Sequence, residues 1–167
     1  MVFKTAFIGA HGANKTTRSR AYHLALRDAG FNVVLIPEMA TEAYRAGMRI
    51  NEAAGFEVQR WIIEEQIRRE REAEAAGAFI IVADRSPLDA LVYSRDLYER
   101  GRITVEELNE VAKLALGWMG TYSKLYLCKP RHLIDDGVRS TDPEFQRRIA
   151  ALFDEVVATH GIKVTRL

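Results

Sequence analysis

The stretch Ile8-Gly9-Ala10-His11-Gly12-Ala13-Asn14-Lys15-Thr16-Thr17 constrains this chain more than any other part of it. A short apolar run, Thr5 to Ile8, leads into it, and a helical pattern from about Thr16 to Ala29 leads out. A buried strand, a glycine-rich turn, a Lys-Thr pair and a helix, in that order, form the setting of a phosphate-binding loop. The physical reason is direct. Backbone N–H groups of such a loop face an anion, and the helix behind it adds the positive end of its dipole. Lys15 is placed to reach the β- and γ-phosphates of a nucleotide, and Thr16 to put its hydroxyl on Mg²⁺. Gly9, His11, Gly12, Ala13, Asn14, Lys15, Thr16 and Thr17 are therefore the cofactor-binding candidates.

One position departs from the motif, which expects glycine immediately before the lysine and here has Asn14. Glycine serves where φ is positive or a phosphate lies against the backbone. Asn is among the few other residues that tolerate the left-handed region. Asn14 is read either as a tolerated substitute or as the mark of a loop that binds nucleotide without catalysis.

Composition narrows the class. The 167 residues suffice for one domain with a sizeable core, expected over residues 1–167. The chain is 48% hydrophobic and 28% charged, ordinary for a soluble globular protein. A net charge of +1 gives no bulk attraction to nucleic acid or to a membrane surface. Cys128 stands alone, which excludes an internal disulfide, and no Cys/His metal spacing is present. No apolar run approaches membrane-spanning length and no signal-peptide pattern opens the sequence, so a cytoplasmic location is expected.

Along the chain, apolar strands at Phe3–Ile8, Asn32–Ile36, Ala78–Ala83, Ser123–Cys128 and Ile162–Leu167 alternate with helical patterns. The strands lack alternation, which suits a parallel sheet covered on both faces. In open α/β sheets ligands bind beyond the carboxyl ends of strands. Glu38 follows the second strand, and Asp84-Arg85 follows the third, so both belong to the rim that carries the loop. Asp84 is a candidate Mg²⁺ ligand together with Thr16, and Arg85 a candidate phosphate or acceptor contact. Ser86-Pro87 reads as an N-cap with proline at the first helical position. Thr104-x-x-Glu107 has capping-box spacing, and Asp142 or Thr141 is expected to cap the helix from Glu144 to His160.

A long helix is expected from Glu52 to Ala76, with its charge run from Glu64 to Glu74 as a solvated face. Gln59 and Gln66 share another face of that helix and are placed to line a cleft. The polar, turn-rich segment at about 129–148 reads as a lid. It would bring Arg131 and Arg139 to a bound triphosphate, the way mobile loops of kinases deliver arginine to a moving phosphoryl group.

These residues together, Gly9-x-x-Gly12-x-Asn14-Lys15-Thr16-Thr17, Pro37-Glu38-Met39-Ala40, Asp84-Arg85-Ser86 and Asp136-Gly137-Val138-Arg139-Ser140, resemble the P-loop nucleoside and nucleoside-monophosphate kinases. More narrowly, the chain resembles the family of ribosylnicotinamide kinase domains and related small ATP-binding proteins. That resemblance implies a three-layer α/β fold with a five-stranded parallel sheet in the order 2-3-1-4-5 and helices on both faces. It also implies ATP or GTP with Mg²⁺, and a small-molecule acceptor whose hydroxyl meets Glu38. Lys15, Glu38, Asp84, Arg85 and Arg139 are then the catalytic candidates.

The leading reading is an ATP-dependent small-molecule kinase, acting as a monomer or homodimer. A second reading is a nucleotide-binding module or slow NTPase that works through a partner. A nucleic-acid end kinase fits less well, because no basic stripe with interleaved aromatics is present.

Overall fold

A computed structural model describes residues 2–131, 133, 137, 138 and 140–167. Strands and helices alternate: β1 (Phe3–Ile8), α1 (Lys15–Asp28), β2 (Val33–Ile36), α2 (Met39–Arg45), a 3-10 turn (Asn51–Ala53), α3 (Phe56–Ala75), β3 (Ile80–Asp84), α4 (Pro87–Glu99), α5 (Val105–Met119), β4 (Lys124–Leu127), α6 (Pro143–Thr159) and β5 (Thr165–Arg166). The strands form one five-stranded sheet in the expected order, β2-β3-β1-β4-β5. Each pairing is parallel.

Side-chain alternation divides the sheet between two apolar clusters. Phe7, Ile80, Val82 and Cys128 pack with Ala13, and Tyr22 and Leu26 of α1 close that side. Ala6, Ile8, Ile81, Ala83, Leu125 and Leu127 belong to the larger core, with residues of α3, α4, α5 and α6. Both faces are covered by helices, which is why the strands read as continuous apolar runs.

Register then sets the rim. Phe7 lies opposite Asp84 and Ile36 opposite Ala83, so β1, β3 and β2 finish level at their carboxyl ends. The turn after β1, Glu38 after β2 and Asp84-Arg85 at the end of β3 therefore meet.

Side-chain caps hold three helix starts, those of α4, α5 and α6, where the sequence places them. Ser86 and Asp89 form a capping box on α4, with Pro87 in the first turn. Thr104 and Glu107 do the same on α5, and the Asp142 side chain accepts from the Glu144 N–H on α6. At α1 the N-cap, Asn14, makes no side-chain capping bond, and the first turn holds no acidic residue.

Some boundaries differ from the sequence reading. The long helix does not start at Glu52. Asn51 takes φ 58°, residues Asn51–Ala53 form the 3-10 turn, and α3 begins only after Gly55. The fifth strand shortens to Thr165–Arg166, the residues that pair with Tyr126 and Leu127. Among the described residues no helix is long and apolar enough to cross a membrane.

Candidate active site

The loop between β1 and α1 turns on three residues with positive φ: Gly9 at 134°, Gly12 at 71° and Asn14 at 55°. Asn14 thus occupies the left-handed conformation that its side chain tolerates. Its side chain is exposed and makes no capping hydrogen bond to the helix it precedes. Asn14→Gly is therefore expected to change stability by no more than about a few tenths of a kcal/mol and to leave Mg·ATP affinity undiminished. Thermal melts and an ATP titration check both; a large loss of affinity would assign the Asn14 side chain to the nucleotide.

Neighbours hold the loop from outside. The Gly9 N–H donates to Asp89 Oδ1 at 3.2 Å, and the His11 N–H donates to the Tyr93 hydroxyl at 3.2 Å. His11 Nδ1 lies 3.1 Å from the same hydroxyl, and its ring stacks on Phe145 with centroids 5.1 Å apart. The Arg131 N–H donates to the Gly12 carbonyl at 2.9 Å. Gln146 Nε2 donates to the His11 carbonyl at 2.8 Å and to the Arg131 carbonyl at 3.2 Å. Gly9 and His11 therefore spend their amides on the scaffold. The amides at the start of α1 have no intrahelical acceptor and no side-chain cap, so they and the helix dipole are what the loop offers an anion.

Lys15 is buried, and its ammonium donates to the carbonyls of Gly9 at 2.7 Å and Ala10 at 2.6 Å. Burial, and secondarily the Arg85 charge, pull its pKa down to about 8. Thr16 donates from its hydroxyl to Asp84 Oδ2 at 2.5 Å. Asp84 Oδ1 is buried without a hydrogen-bond partner. Burial raises the Asp84 pKa, with the Glu38 charge adding to it. A hydroxyl and an orphaned carboxylate oxygen side by side suit a hard cation that takes its remaining ligands from phosphate and water. Among the described residues, no cluster of three or more His, Cys, Asp or Glu side chains could hold a metal by itself.

Glu38 is buried, and its carboxylate accepts from Arg85 Nε at 2.5 Å and from the Thr41 hydroxyl at 3.0 Å. Arg85 holds this pairing from a left-handed backbone, φ 82°. Such a conformation costs on the order of 1–3 kcal/mol in a non-glycine residue and persists only where surrounding structure enforces it. Here the Arg85 N–H is fixed to the Phe7 carbonyl at 3.0 Å, and the guanidinium lies 3.7 Å from Asp89 and 5.8 Å from the centroid of the Tyr93 ring. Burial pushes the Asp89 carboxyl up to about 6 despite Arg85 and Lys15 nearby.

Two spaces meet at Glu38. One is a cavity open to solvent, whose walls include Met39, Ile62, Gln66, Ala90 and Tyr93. The other is a polar cleft bordered by Thr16, Arg20, Thr41, Arg45 and Asp84. Glu38 lines both. Asn51 and Val138 close part of the cavity together, the Asn51 amide donating to the Val138 carbonyl at 2.7 Å.

The structure thus brings Gly9, His11, Gly12, Ala13, Asn14, Lys15, Thr16, Glu38, Asp84 and Arg85 to one rim. Thr17 is exposed on the first turn of α1. Arg131 reaches the loop by its backbone, with its side chain at the surface. Arg139 lies outside the described residues, as do His132, Ile134, Asp135 and Asp136 of the same segment. Gln59 and Gln66 do line the cavity. Asp89, Tyr93 and Gln146 escaped the sequence reading. Ser86-x-x-Asp89 has capping-box form and was a usable signal for the first; Tyr93 follows one turn later on the same helix face. Gln146 has no local signal, because only the packing of α6 brings it to the loop.

The sequence matches the family described as AAA domain over residues 4–167. No curated protein matches it. Among solved structures, it resembles the NadR protein in complex with NR at 18% identity and a TM-score of 0.79. The match covers 99% of this chain but 45% of that one, so this chain spans about half its length. It resembles thymidylate kinase from Ehrlichia chaffeensis at 17% identity and a TM-score of 0.68, covering 99% of this chain and 86% of that one. Deoxyadenosine kinase from M. mycoides is similar at 13% identity and a TM-score of 0.61, covering 99% and 88%.

Proposed function

Because the chain belongs to the AAA domain family and has the fold of P-loop kinases, we propose that it is an ATP-dependent kinase of a small hydroxyl-bearing acceptor of nucleoside or nucleotide type. The observation that carries this reading is the position of Glu38, on the wall shared by an apolar-sided cavity and the polar cleft of Thr16 and Asp84. A carboxylate there touches a hydroxyl held in the cavity while facing a phosphate held by the loop.

Phosphoryl transfer asks the protein mostly for positioning and electrostatics. Lys15 neutralises charge on the β- and γ-phosphates, and α1 directs the positive end of its dipole at them. Thr16 and Asp84 would hold Mg²⁺, which supplies charge neutralisation across the phosphate oxygens when bound. Arg85 fixes the Glu38 carboxylate. Glu38 orients the acceptor hydroxyl and takes its proton as the acceptor oxygen bonds to the γ-phosphorus and the bond to the β-phosphate oxygen breaks, leaving ADP.

The decisive measurement is ADP release from Mg·ATP and Mg·GTP, with and without nucleosides, nucleoside monophosphates and ribosylnicotinamide. Acceptor-stimulated release supports the kinase reading and names the acceptor class. Tight nucleotide binding with no stimulated release favours the binding module, and Asn14 then becomes the residue to test.

The low pKa of Lys15 has a consequence for binding. Below about pH 8 the ammonium is already charged. Above it, a phosphate brought to the ammonium raises its pKa again, so binding takes up a proton and affinity falls as pH rises. Calorimetric titrations of Mg·ATP in buffers of different ionisation enthalpy are expected to show this uptake above pH 8 and little at pH 7. Uptake that is the same at both would mean that Lys15 does not meet the phosphates.

A further inference from the structure

In the middle of the charge run on α3, Glu70 is not solvated at all: it is fully buried. Its carboxylate is saturated by donors. Oε1 accepts from Gln66 Nε2 at 2.8 Å and from the Tyr122 hydroxyl. Oε2 accepts from Trp118 Nε1 at 2.8 Å and from Lys4 Nζ at 3.3 Å. Lys4 is itself buried, pairs with Glu74 at 2.5 Å and lies 4.3 Å from the centroid of the Trp118 ring. Burial, with Glu70 beside it, pushes the Tyr122 hydroxyl well above its usual pKa, so it stays a donor.

An amide side chain can present either its nitrogen or its oxygen, and surrounding groups decide which. A carboxylate paired to an ammonium only accepts, so Gln66 must turn its nitrogen to Glu70. Gln66 also lines the cavity beside Glu38, and the atom left for that cavity is its carbonyl oxygen. The cavity then offers a hydrogen-bond acceptor on its α3 wall, a carboxylate on its strand rim, and apolar sides from Ile50, Ile62 and Tyr93.

We infer that Glu70 is a positioning residue that fixes the amide polarity of Gln66, and that the cavity thereby selects a ligand carrying an N–H donor, an amino or carboxamide group, over the same ligand with an oxygen in its place. The inference deepens the kinase reading, and rests on it only in calling that ligand the phosphoryl acceptor. A buried acceptor left facing another acceptor loses the whole bond and the solvation it gave up, so discrimination of about tenfold to a hundredfold is expected.

The test is direct binding of matched pairs by calorimetry: cytidine with uridine, adenosine with inosine, and ribosylnicotinamide with its nicotinic-acid counterpart. Each pair exchanges an amino donor for oxygen. The wild-type protein is expected to prefer the donor-bearing member in at least one pair by about tenfold or more. In Glu70→Gln the substituted amide can face Gln66 with either atom, and the ratio is expected to fall toward one. A merely structural Glu70 would weaken both members alike and leave the ratio standing. Lys4 keeps Glu74 in that variant. If thermal melts show it unfolded, Gln66→Leu takes its place, deleting the carbonyl with no change of charge. A wild-type ratio near one in every pair, or a ratio that survives in the folded variant, overturns the inference. Selective binding without acceptor-stimulated ADP release overturns the kinase reading and leaves the inference intact.

Discussion

Replacing Glu38 by Gln is expected to lower acceptor-stimulated ADP release by about 10²–10⁴-fold, the usual contribution of a positioned general base, while Mg·ATP still binds. The substitution is close in shape. The amide oxygen can still accept from Arg85, and the Thr41 hydroxyl can accept from the amide nitrogen in place of donating. What is lost is the proton acceptor and the negative partner of a buried guanidinium. Leaving a buried charge without its partner costs about 3–5 kcal/mol, so a melt must accompany the kinetics. Asp89, 3.7 Å from the guanidinium, moderates that loss. If the folded variant turns over within about tenfold of wild type, Glu38 is not the base. Glu38→Asp separates position from charge: it keeps the carboxylate but withdraws it from the hydroxyl. Turnover is expected to fall there too, with less loss of stability.

Gly9→Ala is expected to cost about 2–6 kcal/mol, combining backbone strain and overpacking of about 1–3 kcal/mol each. Gly9 sits at φ 134°, and a Cβ there would lie 2.6 Å from the Cys128 carbonyl oxygen. That oxygen belongs to backbone fixed by the Cys128 N–H bond to the Ile8 carbonyl at 2.9 Å, so it has little room to yield. Gly77→Ala is the control. Its φ is 84°, but nothing lies within 4 Å of the added methyl, so it carries strain without a clash. Urea melts of the two variants are expected to differ by about 1–3 kcal/mol. Equal losses would show that the approach to Cys128 does not limit the residue at position 9.

The rim of the site was legible because its signals are local. A glycine-rich turn after an apolar strand, an acidic residue after the next strand and Asp84-Arg85 after the third each announce themselves within a few residues, and parallel order does the assembly. Asn14 was legible too, since few residues tolerate the left-handed turn it makes. Glu70 was not. Within Glu64 to Glu74 it looks like its neighbours, and nothing nearby in sequence distinguishes it. Its burial is created by Lys4 on β1, Trp118 on α5 and Tyr122 beyond that helix, brought together only by the fold. Tyr93 was hidden for a similar reason: a tyrosine on a helix face reads as core until the loop amide it binds is seen. The start of α3 was read too early because the helical pattern runs on through Glu52, whereas Gly55 decides where the helix begins.

Helix α4 holds the phosphate loop through Asp89 and Tyr93 and forms a wall of the cavity with the same two residues. In the proposed reaction, donor and acceptor would thus lean on one helix. Any shift of that helix as one ligand arrives enters the binding free energy of the other, and thermodynamic reciprocity fixes the exchange: whatever factor the nucleotide adds to or takes from acceptor affinity, the acceptor must return to the nucleotide unchanged.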